Sequence, residues 1–251
     1  MFPLKDENPT ELTPVATVAF IGANVLAWLF VQSAGMGPRF IESLCSYGAI
    51  PGEITGSIAS GAAVSIGEYL CPVQGSGAGT LLTSMFLHGS WMHLIGNMWF
   101  LWVFGNNIED SMGHLRFVVF YLLTGLIAAG CHILSSVDSP VPTVGASGAI
   151  SGVMGAYMVL YPRVRVQTLI IFVFIQIVRL PAVVLLGLWF AIQFLQGTLA
   201  RGAGGVAFWA HIGGFAGGVL LIKLFARPRL VQAKLDKRVL DAGELGRWDR
   251  W

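Results

Sequence analysis

Six stretches of this chain run through the residues of a spanning helix with almost no charge, and that pattern limits what it can fold into. They are Pro14 to Val31, Leu81 to Phe104, Phe117 to Leu134, Ser147 to Tyr161, Pro181 to Gln196 and Val206 to Phe225. A hydrocarbon core about 30 Å thick takes roughly 20 apolar residues as a helix. The composition agrees, with 55% hydrophobic and 11% charged residues among 251, far from the balance of a soluble domain. The expected fold is all-α: a polytopic membrane bundle of six transmembrane helices embedded in a lipid bilayer.

Val166 to Val178 is apolar but too short to span, which suggests an interfacial or re-entrant segment. Ser33 to Thr80 is rich in Gly, Ser and Ala and reads as a long, partly embedded loop. Thr10-Glu11-Leu12-Thr13 is a weak capping signal for the first span. Met1 to Glu7 lacks a basic region ahead of an apolar core, so no cleaved signal peptide is expected. The chain divides into an N-terminal cytoplasmic segment (1–13), a membrane domain (14–226) and a cytoplasmic C-terminal tail (227–251).

Charge sets orientation. Arg163 and Arg165 follow the fourth span, and Lys223, Arg227, Arg229, Lys234, Lys237 and Arg238 close the sixth. By the positive-inside rule both ends are cytoplasmic, which puts both termini in the cytoplasm and the start of the fourth span towards the opposite face. The membrane expected is a cell (inner) membrane. A net charge of +2 without a basic run excludes a nucleic-acid partner. Cys45 and Cys71 share the first loop, where a disulfide and two free thiols both stay open. No cofactor motif is present, and the His88, His93 pair lacks the i, i+4 spacing and a nearby carboxylate that a metal helix needs.

The fourth span opens Gly145-Ala146-Ser147-Gly148 and carries small residues at Gly148, Gly152 and Ala156, and at Ser147, Ser151 and Gly155. The sixth answers with Ala210, Gly214 and Gly218, beside Gly213 and Gly217. Such stripes let two helix backbones approach closely. His211 edges the second stripe, and an ionisable group inside a membrane span is costly unless it meets a partner or water. Close approach would bring His211 to within about 3 Å of Ser147, as a general base for a nucleophile. In the second span His93 and Asn97 share one helical face and could donate to an oxyanion alongside the Ser147 N–H. His88 lies about 140° from His93 at 100° per residue and is assigned a structural role.

Taken together, His88, His93 and Asn97, then Gly145 to Gly148, then Ala210-His211-Ile212-Gly213-Gly214 with Gly218, resemble the rhomboid family of intramembrane serine proteases. Glu109-x₃-Gly113 and Tyr121-x₃-Gly125 are similar to the family's structural positions. The resemblance implies a Ser147/His211 catalytic dyad and an oxyanion site of the Ser147 N–H, His93 and Asn97. It also implies supporting roles for His88, Gly145, Gly148, Ala210, Gly214 and Gly218, and transmembrane protein substrates. Two features depart from the family: Ser151 stands where some members carry an aromatic that stacks on the histidine, and the Trp-Arg pair of the first loop is missing. The alternative within the same fold is a pseudoprotease that binds or escorts membrane helices without cutting. A transporter would place Asp, Glu or Lys centrally in a span, and none of these spans does.

Overall fold

Six long helices carry the architecture, and shorter elements brace them at each end. The computed structural model describes residues 1–10, 12–59, 61–66, 69–73, 77–171, 175–199 and 207–236. Glu11 of the capping signal, Val206, Lys237, Arg238 and the rest of the tail fall outside these residues. The helices are α1 (Val15–Leu26, continued by π-turns over Ala27–Val31), α5 (Trp91–Met112), α6 (His114–Ser135), α7 (Ser147–Leu160), α8 (Ala182–Leu199) and α9 (Phe208–Phe225). They follow the order of the six expected spans, in a mostly helical membrane bundle. Among the described residues α6, α8 and α9 are long and apolar enough to cross a membrane, while α1 and α7 are shorter apolar helices.

The expected second span starts ten residues too early. Gly77–Thr83 is a separate short helix, α4, followed by a 3₁₀ turn at Ser84–Phe86, and α5 begins only at Trp91. The break has a local cause. Ser90 is extended and its Oγ accepts the His93 N–H at 3.1 Å, the N-cap arrangement that starts a helix. His88 therefore precedes the helix, and its angle around α5 has no meaning. The long first loop is not irregular either: it holds α2 (Gly37–Tyr47), α3 (Pro51–Thr55) and a hairpin of β2 (Ala63–Ile66) and β3 (Tyr69–Pro72). A disulfide joins Cys45 of α2 to Cys71 of β3, with 5.2 Å between the Cα atoms.

The described residues of the Val166 to Val178 segment are strands, a conformation the sequence reading did not specify. They belong to β4 (Arg165–Ile171) and β5 (Ile175–Pro181), which pair antiparallel, and β1 (Phe2–Asp6) adds to β4 to give the order β1-β4-β5. The start of β4 alternates as a strand does, with Val166 and Thr168 buried and Arg165, Gln167 and Leu169 less covered. Seven residues are also enough for a strand, whereas 13 make a helix that stops short of spanning.

The bundle is held where glycines remove side chains. A Cβ on Gly214 would fall on the Gly148 carbonyl and one on Gly218 on the Gly152 carbonyl, so α7 and α9 touch backbone to backbone. Gly152 meets Thr124 of α6, and Gly213 meets Cys131 of α6. The caps are tertiary. No side chain of its own caps α1; instead the buried Glu109 of α5 accepts the Ala16 and Thr17 N–H groups at 2.8 Å each and the Thr17 hydroxyl at 2.7 Å. Asp110 accepts the Leu12 N–H at 2.7 Å and pairs with Lys234 of α10 (Pro228–Leu235) at 2.5 Å.

Asp6 closes β1 onto the helices. Its Oδ2 accepts from the Tyr157 hydroxyl at 2.6 Å and from Asn107 Nδ2 at 2.8 Å. Burial lifts its pKa from 3.8 to about 6, against the Tyr157 hydrogen bond and the Lys234 charge, which act to lower it. Between those values the folded protein holds a proton that the unfolded chain has released. Asp6 therefore favours folding most in acid, and this contribution is lost as pH rises through about 6, by at most roughly 3 kcal/mol. Hydrogen exchange of residues 2–6, corrected for intrinsic rates, is expected to lose protection from about pH 4 to pH 7 in the wild type and to stay level in Asp6→Asn.

Candidate active site

Ser147 is the first residue of α7, and the turn before it explains why it is reachable. Gly145 has φ +129°, a conformation L side chains rarely adopt, and its N–H bonds the Ser84 carbonyl at 2.9 Å. Gly148, Gly152 and Gly155 draw the start of α7 against its neighbours, leaving Ser147 half-buried at the helix mouth. Ser147 lines a small cavity of about 40 Å³ together with Gly145, Gly148, Ala128, His132 and Ala210.

His211 faces it from the first turn of α9. Its Nε2 lies 2.8 Å from Ser147 Oγ and its Nδ1 2.6 Å from Gln193 Oε1 of α8. A carboxamide oxygen can only accept, so Nδ1 carries the proton and Nε2 is free to accept the serine hydroxyl proton. Trp189, one turn before Gln193, lies across the imidazole with ring centroids 5.8 Å apart. The position left by the missing aromatic is filled from another helix, and Ser151 turns its hydroxyl to the Ser147 carbonyl at 2.6 Å instead. Serine hydroxyl, neutral imidazole and a fixed Nδ1 partner are the starting arrangement for general-base activation of a nucleophile.

His93 comes in from α5. A Cβ on Gly145 would lie 2.8 Å from His93 Cε1 and Nε2 and 3.6 Å from Ser147 Oγ, so the imidazole edge, Gly145 and the serine oxygen share one small space. Asn97, one turn further along α5, is buried, and its Nδ2 has no hydrogen-bond partner among the described residues. A buried donor without an acceptor costs about 1–3 kcal/mol. His88 is fully buried, with its ring 5.0 Å from that of His93 and nearly perpendicular to it. Gln32 clasps its backbone, donating to the His88 carbonyl and accepting its N–H at 2.8 Å each. The structure thus brings Ser147, His211, His93 and Gly145 together, packs Gly148 with Ala210, Gly214 and Gly218 behind them, and sets His88 as a wall of the His93 site.

The family model of the Rhomboid domain matches residues 76–228, more than half of the chain. The chain belongs to the rhomboid family. Rhomboid protease GluP of Bacillus subtilis (strain 168) is 28% identical to it over 229 residues, covering 91% of this chain and 38% of that protein. Rhomboid protein 1, mitochondrial, of Saccharomyces cerevisiae is 30% identical over 179 residues, 67% of this chain and 46% of that protein. RHOMBOID-like protein 4 of Arabidopsis thaliana is 35% identical over 160 residues, 62% of this chain and 36% of that protein. This rhomboid therefore spans less than half the length of these relatives.

Two residues of this rhomboid's site were missed in the sequence, Gln193 and Trp189. A signal existed: they are i and i+4 on one face of α8, and Gln193 is the first polar residue after Pro181 in an apolar run. Replacing Gln193 with Leu leaves His211 Nδ1 without its acceptor. The rate at which a fluorophosphonate modifies Ser147 is expected to fall about 10- to 100-fold, with less loss in Gln193→Glu, which keeps an acceptor.

Proposed function

We propose that this rhomboid is an intramembrane serine endopeptidase that cleaves transmembrane segments of membrane-anchored proteins. The observation that carries the reading is the 2.8 Å contact between His211 Nε2 and Ser147 Oγ, from two helices packed through glycine. In this reading Ser147 Oγ attacks the scissile carbonyl while His211 takes its proton at Nε2. The tetrahedral oxyanion is held by the Ser147 N–H, His93 and Asn97. His211 then protonates the leaving amine, and the acyl-enzyme forms. Water, deprotonated by His211, releases the acyl group and restores the hydroxyl. The unpartnered Asn97 Nδ2 supports its part, because the oxyanion supplies the acceptor the resting site lacks. Gln193 and Trp189 hold the imidazole in the tautomer that the first step needs.

The bilayer placement is part of the same proposal: six spans, both termini cytoplasmic, the membrane domain over 14–226, and Ser147 towards the opposite face of a cell membrane. The Arg163, Arg165 pair and the basic residues after α9 support that orientation. A relative named as a protease over 91% of this chain supports peptide-bond hydrolysis.

The test is cleavage of a panel of single-span membrane proteins in proteoliposomes. Ser147→Ala and His211→Ala are each expected to lose at least about 10³-fold, and Asn97→Ala about 10²- to 10³-fold, with substrate binding kept. Cleavage that persists in Ser147→Ala contradicts the reading. A wild type that binds the panel but cuts none of it favours the non-cleaving helix binder.

A further inference from the structure

The outer face of the small sheet is graded. In the ladder of β4 with β5, Arg165 stands opposite Pro181, Gln167 opposite Arg179, Leu169 opposite Ile177 and Ile171 opposite Ile175, so these side chains share one face. The other face carries Val166, Thr168, Val178 and Leu180 and is the more covered. Along the outward face the chemistry changes in one direction. Arg165, Gln167 and Arg179 occupy the end where β5 passes into α8, and Arg179 also pairs with Glu7 at 3.2 Å. Ile171, Ile175 and Ile177 occupy the far end, where they are 67%, 75% and 61% exposed.

The direction of that gradient within the bundle is set by β1, which pairs with β4 and lies along α5. Asp6, opposite Val166, is held by Asn107. Phe2, opposite Leu169, packs its ring 5.5 Å from that of Trp99, whose Nε1 donates to the Pro3 carbonyl at 2.6 Å. Asn107 and Trp99 are about 12 Å apart along the helix. The polar end of the sheet is therefore level with the Glu109, Asp110 end of α5, and its isoleucines reach the level of Trp99, in the apolar middle of that helix. Both α5 and α8 contact the sheet. Beside it α5 exposes Ile95, Trp99 and Trp102, and α8 exposes Val183, Val184 and Leu188, so the apolar surface runs on from the sheet to the two helices.

A protein partner is met by an apolar centre within a polar rim. A bilayer is met by a surface whose polarity changes along one direction, with long cationic side chains at the phosphates and apolar ones below them. The sheet has the second pattern. β5 is an edge strand, and its unpaired backbone groups bar it from the hydrocarbon centre. They fit the interfacial layer, about 5–10 Å into the boundary between headgroups and acyl chains.

We propose that the outward face of β4 and β5 is a lipid-binding surface: Arg165 and Arg179 meet the phosphates of the leaflet at the charged end of α5, and Ile171, Ile175 and Ile177 are buried among its upper acyl chains. The hairpin thus anchors the link between α7 and α8 in one leaflet. The inference rests on the bilayer placement proposed above and not on the cleavage chemistry.

Depth can be read residue by residue. In a Cys131→Ala background the other two cysteines are joined as a disulfide, so an added cysteine is the one thiol to label. Gln167→Cys, Ile171→Cys, Ile175→Cys and, as a reference in α8, Leu188→Cys each carry a nitrobenzoxadiazole fluorophore in vesicles of phosphatidylcholine and phosphatidylglycerol. The vesicles contain a spin label either at the headgroup or on the acyl chain. The fluorophores at 171 and 175 are expected to be quenched at least about twofold more by the acyl-chain label than by the headgroup label, with the order reversed at 167 and with 188 quenched by the acyl-chain label. Adding Ile177→Asp is expected to shift the 175 fluorophore towards headgroup quenching. Fluorophores at 171 and 175 that the acyl-chain label leaves unquenched, while 188 is quenched, overturn the anchor. Quenching at 171 and 175 that weakens as the protein-to-lipid ratio rises identifies a second copy on this face and overturns it as well. A fluorophore at 188 that neither label quenches overturns the bilayer placement, and this inference with it.

Discussion

The contact of α7 with α9 is the constraint on which the site depends. With no side chain between the helices at Gly148, Gly152, Gly214 and Gly218, the two backbones fix each other's height and rotation. Ser147 and His211 occupy the first turns of those helices, so their separation is set by main chain and not by long side chains searching for each other. In a bilayer the hydrophobic effect gives helices little reason to associate, and close van der Waals packing through small residues takes its place. A rigid approach of this kind suits the dyad proposed here, which has no acidic third member. The geometry that an acid would otherwise secure is provided by the helix pair, by Gln193 at Nδ1 and by the Trp189 ring.

Around that pair, polar groups are satisfied by one helix reaching into the end of another. Glu109 caps α1, Asp110 links the chain before α1 to α10, Gln32 clasps the loop before α5, and Asp6 joins β1 to α5 and α7. Buried carboxylates and amides are costly when unpaired, and here each secures a place where the bundle would otherwise fray. Asn97 Nδ2 is one of several buried polar atoms that keep no hydrogen-bond partner among the described residues.

Much of this was legible in the sequence, because spans and small-residue stripes are written locally. The boundaries of α6, α7, α8 and α9 lie within a few residues of the apolar runs, and the approach of His211 to Ser147 was expected from two small-residue stripes and one histidine in an apolar run. The failures share a cause. α5 starts at Trp91 because of the Ser90 cap inside an apolar run that hydropathy alone cannot divide. Residues 166–171 and 175–178 are paired strands, and a distant strand, β1, gives β4 its second neighbour, a tertiary pairing that the apolar length alone does not announce. Gln193 and Trp189 were overlooked because a histidine's second partner is a tertiary fact: α7 carries Ser151 where some family members have an aromatic, and the ring beside the imidazole comes from α8.

The most direct test of an activated nucleophile on this helix pair is mass-spectrometric mapping of a fluorophosphonate adduct on the purified, folded protein. An adduct on Ser147 that is absent from His211→Ala is the result the account predicts. A folded wild type that stays unmodified, or one modified elsewhere while Ser147 remains free, would contradict it.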